Sequence, residues 1–195
     1  MRLGSLDIAV PALAHPDLLP PPVRAALQGW TSGDEVGVTP IDPDLSDTAA
    51  FGRAYDVPGS ASANCVVIAG RRGGEERIAA CVVLATTRAD VNTVVKRRLD
   101  VRKCSFLSME RAVELTGMEY GGITPVGLPD GWPVLVDAAV LDQPLVVIGS
   151  GVRRSKLVLR PGLLAELPHA EVIEGLAREV DPGPSSGQDA RRDSV

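Results

Sequence analysis

Two apolar runs in the first half of the chain predict a pair of neighbouring strands. They extend from Ala63 to Gly70 and from Arg77 to Thr87, and a polar turn that contains two glycines, residues 71–76, separates them. Neither run alternates strictly between apolar and polar residues, which is typical of central strands covered on both faces. The pattern therefore predicts a β-hairpin in the interior of the fold.

Helices are predicted where a capping residue or a proline precedes an apolar segment. Four segments meet this criterion: Pro22 to Leu27, Thr48 to Tyr55 after Asp44, Ser46 or Asp47, Val91 to Leu99 after Asp90, and Met109 to Leu115 between Ser108 and Gly117.

The remaining pattern consists of shorter elements. Strands are predicted at Glu35 to Val38, Pro133 to Val136, Leu145 to Ile148 and Lys156 to Leu159, and helices at Gly162 to Leu167 and Glu171 to Val180. Strands and helices mix without strict alternation along the chain. This order predicts an α+β fold: a single domain with a central mixed β-sheet flanked by helices.

The composition fits one globular domain with extensions. The chain has 195 residues, of which 45% are hydrophobic and 23% charged, enough to bury a core. We expect a Pro-rich leader over residues 1–21, the domain over residues 22–180 and a disordered tail over residues 181–195.

The low aromatic content and the acidic charge restrict the possible partners. The chain contains two residues each of Phe, Tyr and Trp, and its formal net charge is −5. A protein that stacks the bases of a single strand usually carries more rings, and a general nucleic-acid coat protein is usually basic. DNA is therefore not an expected partner, although a local basic patch remains compatible with this charge.

Cysteine usage indicates a reducing compartment, and hydropathy indicates that the chain does not cross a membrane. The three cysteines, Cys65, Cys81 and Cys104, are odd in number and form no CxxC pair, so we expect free thiols. The two histidines, His15 and His169, are distant from them in sequence, and no zinc site or other cofactor is expected. No apolar segment reaches the ~20 residues needed to cross a membrane. The expected location is the cytoplasm, without a membrane partner.

Two glycine-rich segments are the strongest candidates for chemistry. Residues 117–127 contain four glycines and one proline, and Gly149-Ser150-Gly151 follows a predicted strand. Glycines let backbone N–H groups converge on an anion or a carbonyl oxygen. Tight structural turns are the alternative explanation for either segment.

Taken together, these segments resemble the YbaK/ProX family of aminoacyl-tRNA deacylases. Gly121 to Pro125 matches the GxxxP loop of that family within the run from Leu115 to Pro129. The resemblance spans residues 22–167. It continues in a strand that ends at Asp137, in residues 146–151 and 156–159, and upstream in residues 47–50 and 63–67.

The resemblance implies hydrolysis of the ester that joins a wrong amino acid to tRNA, by a domain that acts alone or within prolyl-tRNA synthetase. It implies aminoacyl-tRNA as substrate, a synthetase as a further partner, an attacking water and no protein nucleophile. Fixed backbone donors suit an ester hydrolase because an oxyanion develops in the transition state. The implied catalytic residues are Asn64, Gly121 and Gly122, and the implied substrate-binding residues are Ile123, Thr124, Pro125, Asp137, Gly149, Ser150, Gly151 and Lys156. Side chains around Leu45, Phe51 and Tyr55 are expected to line the pocket.

Two positions depart from the pattern of the family. Asn64 stands where the family carries a lysine, and Lys156 stands where its cysteine-specific branch carries an aspartate. Asparagine can hydrogen-bond a carbonyl or a phosphate but carries no charge. Two interpretations are open. The positive charge of the missing lysine is supplied from the opposite wall of the site by Lys156, Arg153 or Arg154, or residues 153–156 form a solvated basic turn. The alternative function is a non-catalytic module that binds aminoacyl-tRNA or a synthetase, and a weaker third is a pocket reused for another small ligand.

A basic run is the best candidate for contact with tRNA. Five basic residues lie within eight positions, namely Lys96, Arg97, Arg98, Arg102 and Lys103. Such a run often forms no more than a solvated face. The hypothesis is that these side chains contact phosphates.

Overall fold

A long β-hairpin forms the middle of a five-stranded sheet. The computed structural model describes residues 1–179, and its strands are numbered β1 to β10 along the chain. β2 (Ala63–Arg72) and β3 (Glu75–Leu84) pair antiparallel over their full length, from Ala63 opposite Leu84 to Arg72 opposite Glu75. The hairpin predicted from the two apolar runs is confirmed.

The other three strands make this sheet mixed. β5 (Cys104–Phe106) pairs antiparallel with β2. β6 (Val134–Asp137) pairs parallel with β3, and β9 (Ala170–Ile173) pairs parallel with β6. The strand order is therefore β5-β2-β3-β6-β9. The predicted α+β fold with a mixed sheet is confirmed.

A second sheet lies beside the first. β1 (Gly37–Pro40), β8 (Ser155–Leu159) and β7 (Val146–Gly149) form an antiparallel sheet in the order β1-β8-β7. A parallel bridge between Ser62 and Val147 links it to the start of β2. β4 (Thr87–Ala89) and β10 (Ala177–Glu179) form a separate two-stranded ribbon.

Three helical segments begin directly after their predicted capping residues. α1 covers Pro21–Gly29, α2 covers Thr48–Tyr55, α3 covers Lys96–Arg98 as the continuation of a π-helical turn at Val91–Val95, α4 covers Met109–Thr116, and α5, which was not predicted, covers Ala138–Leu141. Side chains of Asp47, Asp90 and Ser108 accept hydrogen bonds from the first-turn amides of the three middle helical segments. No helix within residues 1–179 is long and apolar enough to cross a membrane.

Apolar side chains cover both faces of the hairpin. Val82 and Leu84 pack in the larger core, together with residues of the second sheet, whereas Cys81 and Val83 pack on the other face against Val95 and its neighbours. Successive residues of a strand point to opposite faces, so a continuous apolar run fits this position. Val, Leu, Ile and Ala side chains make up most of this core, as the low aromatic content of the sequence indicates.

The predicted helix from Glu171 to Val180 is wrong over the described residues. Residues 170–179 form β9 and β10 around a turn that contains Gly175. Ile173 and Leu176 are both buried, and their spacing of three residues mimics a helical face. The parallel pairing with β6, which local pattern does not reveal, decides the outcome. Val180 and the predicted tail at residues 181–195 lie outside the described residues.

The Pro-rich segment at residues 1–21 packs against the rest of the chain. Ala12 and Leu19 are buried in the larger core, and Leu6 packs in a third cluster with Phe51. Ala9 forms an antiparallel bridge with Val38, which extends the second sheet by one position.

Candidate active site

A cavity of about 380 Å³ opens where the two sheets meet. Its walls come from the start of β2, the end of β7, the first half of α2 and the loop that contains Gly121. The bridge between Ser62 and Val147 lies in its wall, so both sheets fix its shape.

Five of the predicted site residues line this cavity together. They come from four separate segments of the chain and are Asn64, Gly121, Ile123, Gly149 and Lys156. Other predicted residues, namely Gly122, Thr124, Pro125, Ser150 and Gly151, are buried next to it but are not part of its lining.

Backbone contacts hold the Gly121 loop against the turn after β7. The Gly151 N–H donates to the Gly122 oxygen at 2.7 Å, and the Glu119 N–H donates to the Gly151 oxygen at 2.8 Å. A Cβ atom on Gly149 would lie only 2.3 Å from the Gly122 oxygen, so glycine is required there. The two glycine segments predicted to act together are therefore in direct contact.

This arrangement leaves several amides of the loop without an acceptor among residues 1–179. The Gly122 N–H donates to the Glu119 oxygen at 3.0 Å, so it is already used within the loop. Among residues 1–179, no acceptor is recorded for the N–H groups of Tyr120, Gly121 and Ile123, and all three residues line the cavity. The Gly121 and Ile123 amides belong to the loop that resembles the family motif and can donate to a bound carbonyl or oxyanion.

Lys156 places an ammonium group in the cavity wall. It is 7% exposed on β8, the middle strand of the second sheet. Its Nζ donates to the Ser46 oxygen at 2.9 Å and lies 5.6 Å from the centre of the Phe51 ring. Burial lowers the pKa of Lys156 from the usual 10.5 to about 8, while the Asp47 charge opposes the shift and Arg153 adds to it. The group is a buried cation and not part of a solvated turn.

Asn64 lies on β2 and is oriented by α2. Its Oδ1 accepts a hydrogen bond from the Thr48 hydroxyl at 2.7 Å. No acceptor among residues 1–179 is recorded for its side-chain NH₂ group, which is therefore available to a ligand. Arg153 also reaches this cavity, and its guanidinium donates to the Pro43 oxygen at 2.9 Å.

Other lining residues were not predicted to belong to the site. Among them are Asp44, Ser46, Asp47, Ser62, Cys65, Tyr120 and Val147. Phe51 lines the cavity as expected from the sequence, whereas Leu45 and Tyr55 do not. Burial raises the pKa of Cys65, and nearby Cys81 raises it further, so this thiol stays protonated and is a poor nucleophile near neutral pH.

Ser150 and Asp137 have internal partners. The Ser150 hydroxyl lies 2.7 Å from the Ser155 hydroxyl, and Ser155 donates to the Leu18 oxygen at 2.6 Å. Asp137 is buried at the end of β6, outside the cavity lining. Desolvation raises its pKa, and backbone amides of residues 138, 139 and 177 oppose the shift.

The basic run lies at the other end of β2. Gly70 pairs with Cys104, immediately after the run, and is six residues from Asn64. At ~3.3 Å per residue this separation is roughly 20 Å. Arg97, Arg102 and Lys103 are exposed, whereas Arg98 pairs with Glu171 at 2.7 Å and Lys96 is half-buried.

The described residues contain no cluster suited to a metal ion. Within residues 1–179, no group of three or more His, Cys, Asp or Glu side chains lies close enough to hold one. The chemical groups in the cavity are backbone amides, one side-chain amide, hydroxyls, one thiol, two carboxylates and two cations.

A family model described as the aminoacyl-tRNA editing domain matches residues 42–167. This range is more than half of the chain and contains every residue that lines the cavity. The chain belongs to the aminoacyl-tRNA editing domain family. The resemblance to the YbaK/ProX proteins is thereby confirmed, and the cavity is the candidate active site of an editing domain.

Solved structures share the fold of this editing domain. One is the crystal structure of a proposed trans-editing enzyme for prolyl-tRNA synthetase, with a TM-score of 0.69, 23% identity, and coverage of 83% of this chain and 99% of that one. A hypothetical protein matches with a TM-score of 0.68 and 21% identity over 78% of this chain and 99% of its own. A proposed signal transduction protein from Marinobacter aquaeolei gives a TM-score of 0.52 and 16% identity over 83% of this chain and 31% of its own. No curated protein matches the chain.

Proposed function

We propose that this editing domain hydrolyses the ester bond of a mischarged aminoacyl-tRNA in the cavity between its two sheets. The observation that carries the proposal is the pair of unbonded amides, Gly121 and Ile123, in a cavity that also holds the Lys156 ammonium. Removal of a wrong amino acid after charging is chemically necessary because a synthetase pocket rejects a smaller or isosteric residue by only ~1–3 kcal/mol.

In the proposed reaction, water adds to the acyl carbon and the ester C–O bond breaks. The ribose hydroxyl leaves with a proton, and the free amino acid is released. The carbonyl oxygen gains negative charge in the transition state, and the Gly121 and Ile123 amides stabilise it. A fixed donor of this kind contributes about 3–4 kcal/mol in other acyl-transfer enzymes. The backbone contacts with residues 149–151 hold the donors in place before substrate binds.

Lys156 supplies the positive charge that the family carries at the position of Asn64. The side chain is buried, and its ammonium interacts with Ser46 and Phe51 in the wall. A cation in a partly desolvated site interacts more strongly with a developing anion or a phosphate than it would in water. The Asn64 NH₂ group then binds a ribose or carbonyl oxygen without charge, which is the role proposed for it from the sequence.

One observation favours a second candidate function, a non-catalytic aminoacyl-tRNA-binding module. Asn64 is neutral, and its oxygen is already bonded to Thr48. If the charge on β2 is essential for turnover, this chain binds aminoacyl-tRNA without hydrolysing it.

The test is a deacylation assay with a panel of mischarged tRNAs. We expect the native chain to release at least one amino acid, and Lys156→Met to lower kcat/KM by about 10²- to 10³-fold. Arg88→Met is the matched control, because it removes a positive charge from an exposed position on β4 and is expected to have no effect.

The outcomes separate the two functions. Binding without turnover by the native chain, together with hydrolysis by Asn64→Lys, would support the binding module. Full activity of Lys156→Met would contradict the role of Lys156, and failure to bind any aminoacyl-tRNA would overturn both functions.

A further inference from the structure

A second cavity lies away from the candidate active site. It has a volume of about 390 Å³, within the usual range of small-molecule sites, and shares no lining residue with the first. Its walls come from the end of α1, the loop at residues 126–132 and the turn at residues 166–169.

Backbone packing and one side-chain contact hold these walls together. Gly127 has a positive φ of 82°, and a Cβ atom there would lie 2.6 Å from the Pro22 oxygen, so glycine lets the loop pack on the start of α1. The His169 ring lies 3.0 Å from the Asp130 carboxylate, and the His169 oxygen accepts from the Val134 N–H at 3.0 Å. The cavity is thus formed before any ligand binds.

The aromatic lining is unusual for this chain. Both of its tryptophans, Trp30 and Trp132, line this cavity, although the whole sequence has only six aromatic residues. Leu128, Val134 and Leu167 supply much of the remaining apolar surface. Indole faces and aliphatic side chains favour an apolar ligand and can also attract a cation through the ring face.

Carboxylates outnumber basic side chains in this cavity. Asp130 and Glu166 contribute carboxylates, His169 is the one basic residue of the lining, and among residues 1–179 no lysine or arginine lines it. The candidate active site differs, because Lys156 and Arg153 line it. An apolar pocket with an acidic rim is complementary to an apolar molecule that bears a positive charge.

We propose that the cavity between α1, the loop at residues 126–132 and the turn at residues 166–169 binds a small alkylammonium compound. The alkyl part lies between the indoles and the aliphatic side chains, and the ammonium group lies at the rim beside Asp130 and Glu166. The proposal is independent of the hydrolytic function, because it involves none of the residues in the first cavity.

Three probes of similar length test the ligand class: n-pentylammonium, 1-pentanol and pentanoate, each titrated into the full chain at constant ionic strength. Intrinsic tryptophan emission reports this cavity directly, since both tryptophans line it. Saturation-transfer NMR on the probes detects binding that leaves the emission unchanged. We expect pentylammonium to bind with a dissociation constant on the order of 1 mM, pentanol more weakly and pentanoate most weakly.

Charge-removing variants test the rim. Asp130→Asn/Glu166→Gln is expected to weaken pentylammonium binding roughly tenfold and to leave pentanol binding unchanged. Asp142→Asn/Glu179→Gln removes two carboxylates from exposed positions elsewhere and is expected to change neither. Equal affinity for all three probes, tighter binding of pentanoate, unchanged pentylammonium binding in the rim variant, or no saturable binding by either method would overturn the proposal.

Discussion

At the scale of single residues, the main feature of the candidate site is where its positive charge lies. The family resemblance predicts a lysine at the position of Asn64 on β2, and this chain has a buried lysine on β8 instead. Both positions line one cavity, so the charge comes from the other wall. The sequence indicated this compensation as one of two possibilities. Burial of Lys156 excludes the solvated turn for that residue, whereas its role in catalysis stays a prediction.

The lowered pKa of Lys156 predicts a pH dependence of both activity and stability. If the ammonium form is required, the enzyme-catalysed rate, corrected for spontaneous hydrolysis, is expected to fall as the pH rises through about 8. A rate that stays constant or rises up to pH 10 would contradict this requirement.

As the pH rises, the free energy of unfolding changes in the direction opposite to the activity. Between pH 8 and 10.5 the unfolded chain binds the proton of Lys156 and the folded chain releases it. The free energy of unfolding is therefore expected to rise with pH in this window, by up to about 3 kcal/mol from this group, and the contribution is absent below pH 8. Urea unfolding at several pH values measures it, and Lys156→Met is expected to show a flatter profile.

Ser150 and Thr124 form a matched pair of buried hydroxyls. Ser150 has hydrogen-bond partners, whereas the Thr124 hydroxyl has none among residues 1–179. Ser150→Ala is expected to lower the free energy of unfolding by about 1–3 kcal/mol, and Thr124→Val to leave it unchanged or slightly higher. Denaturant unfolding checks both. Deacylation by the folded variants is expected to stay near the native rate, because neither side chain lines the cavity.

At the scale of elements, α2 connects helix capping to the electrostatics of the site. Asp47 accepts hydrogen bonds from the Ala49 and Ala50 amides, and its charge raises the pKa of Lys156. One carboxylate therefore both starts the helix and supports the buried cation. Its two effects can be separated by substitution.

Asp47→Asn keeps a capping oxygen and removes the charge. We expect it to preserve stability near neutral pH and to move the activity midpoint below that of the native chain, because Lys156 loses a favourable neighbour. Asp47→Ala is expected to show the same midpoint and, in addition, a loss of about 1 kcal/mol in stability. An unmoved midpoint in both variants would show that Asp47 does not affect the titrating group.

The helices and strands differ in how well the sequence predicts them. The hairpin and the caps at Asp90 and Ser108 follow from contacts between near neighbours, and these predictions are confirmed. Of the three cap candidates before α2, Asp47 is the one that caps it. β9 and β10 could not be predicted from the local sequence pattern, because β9 pairs with β6 and β10 pairs with β4, which are distant in sequence.

The candidate site shows the same division between local and distant information. The glycine segments were identified from the sequence, with help from the family resemblance. Which amides remain free depends on the hydrogen bonds among Glu119, Gly122 and Gly151, which are set by tertiary packing. Because the sequence does not contain this information, it predicts Gly122 as a catalytic residue, whereas the Gly122 N–H donates to the Glu119 oxygen inside the loop.

At the scale of the whole molecule, the distribution of charge matters more than the net value of −5. Asp100 pairs with Arg72 and with Arg77, and Glu171 pairs with Arg98, so part of the basic surface is already neutralised. Exposed cations at the far end of β2 include Arg97, Arg102 and Lys103 of the basic run. Gly70, at this end of β2, lies roughly 20 Å along the strand from Asn64, and we expect these cations to contact phosphates of a tRNA whose terminus occupies the cavity.

Replacing these three cations with glutamine tests the contact with tRNA. The slope of the logarithm of binding constant against the logarithm of salt concentration is expected to become shallower by about 2–3 units. The control replaces Arg72, Arg77 and Arg98 with glutamine and is expected to have a smaller effect, because carboxylates already pair with them. An unchanged slope in the first variant would remove this surface from the proposed interface.

The contact between Gly122 and Gly149 has a consequence for how such a domain can diversify. Because the two segments meet through main-chain atoms, the donor geometry is independent of the side chains that shape the rest of the cavity. In the proposed reaction, Val147 and Ile148 can therefore be exchanged to admit a larger or smaller amino acid while the backbone donors are retained. Selectivity in this architecture can drift or be engineered separately from catalysis, whereas substitution of Gly149 is expected to abolish both together.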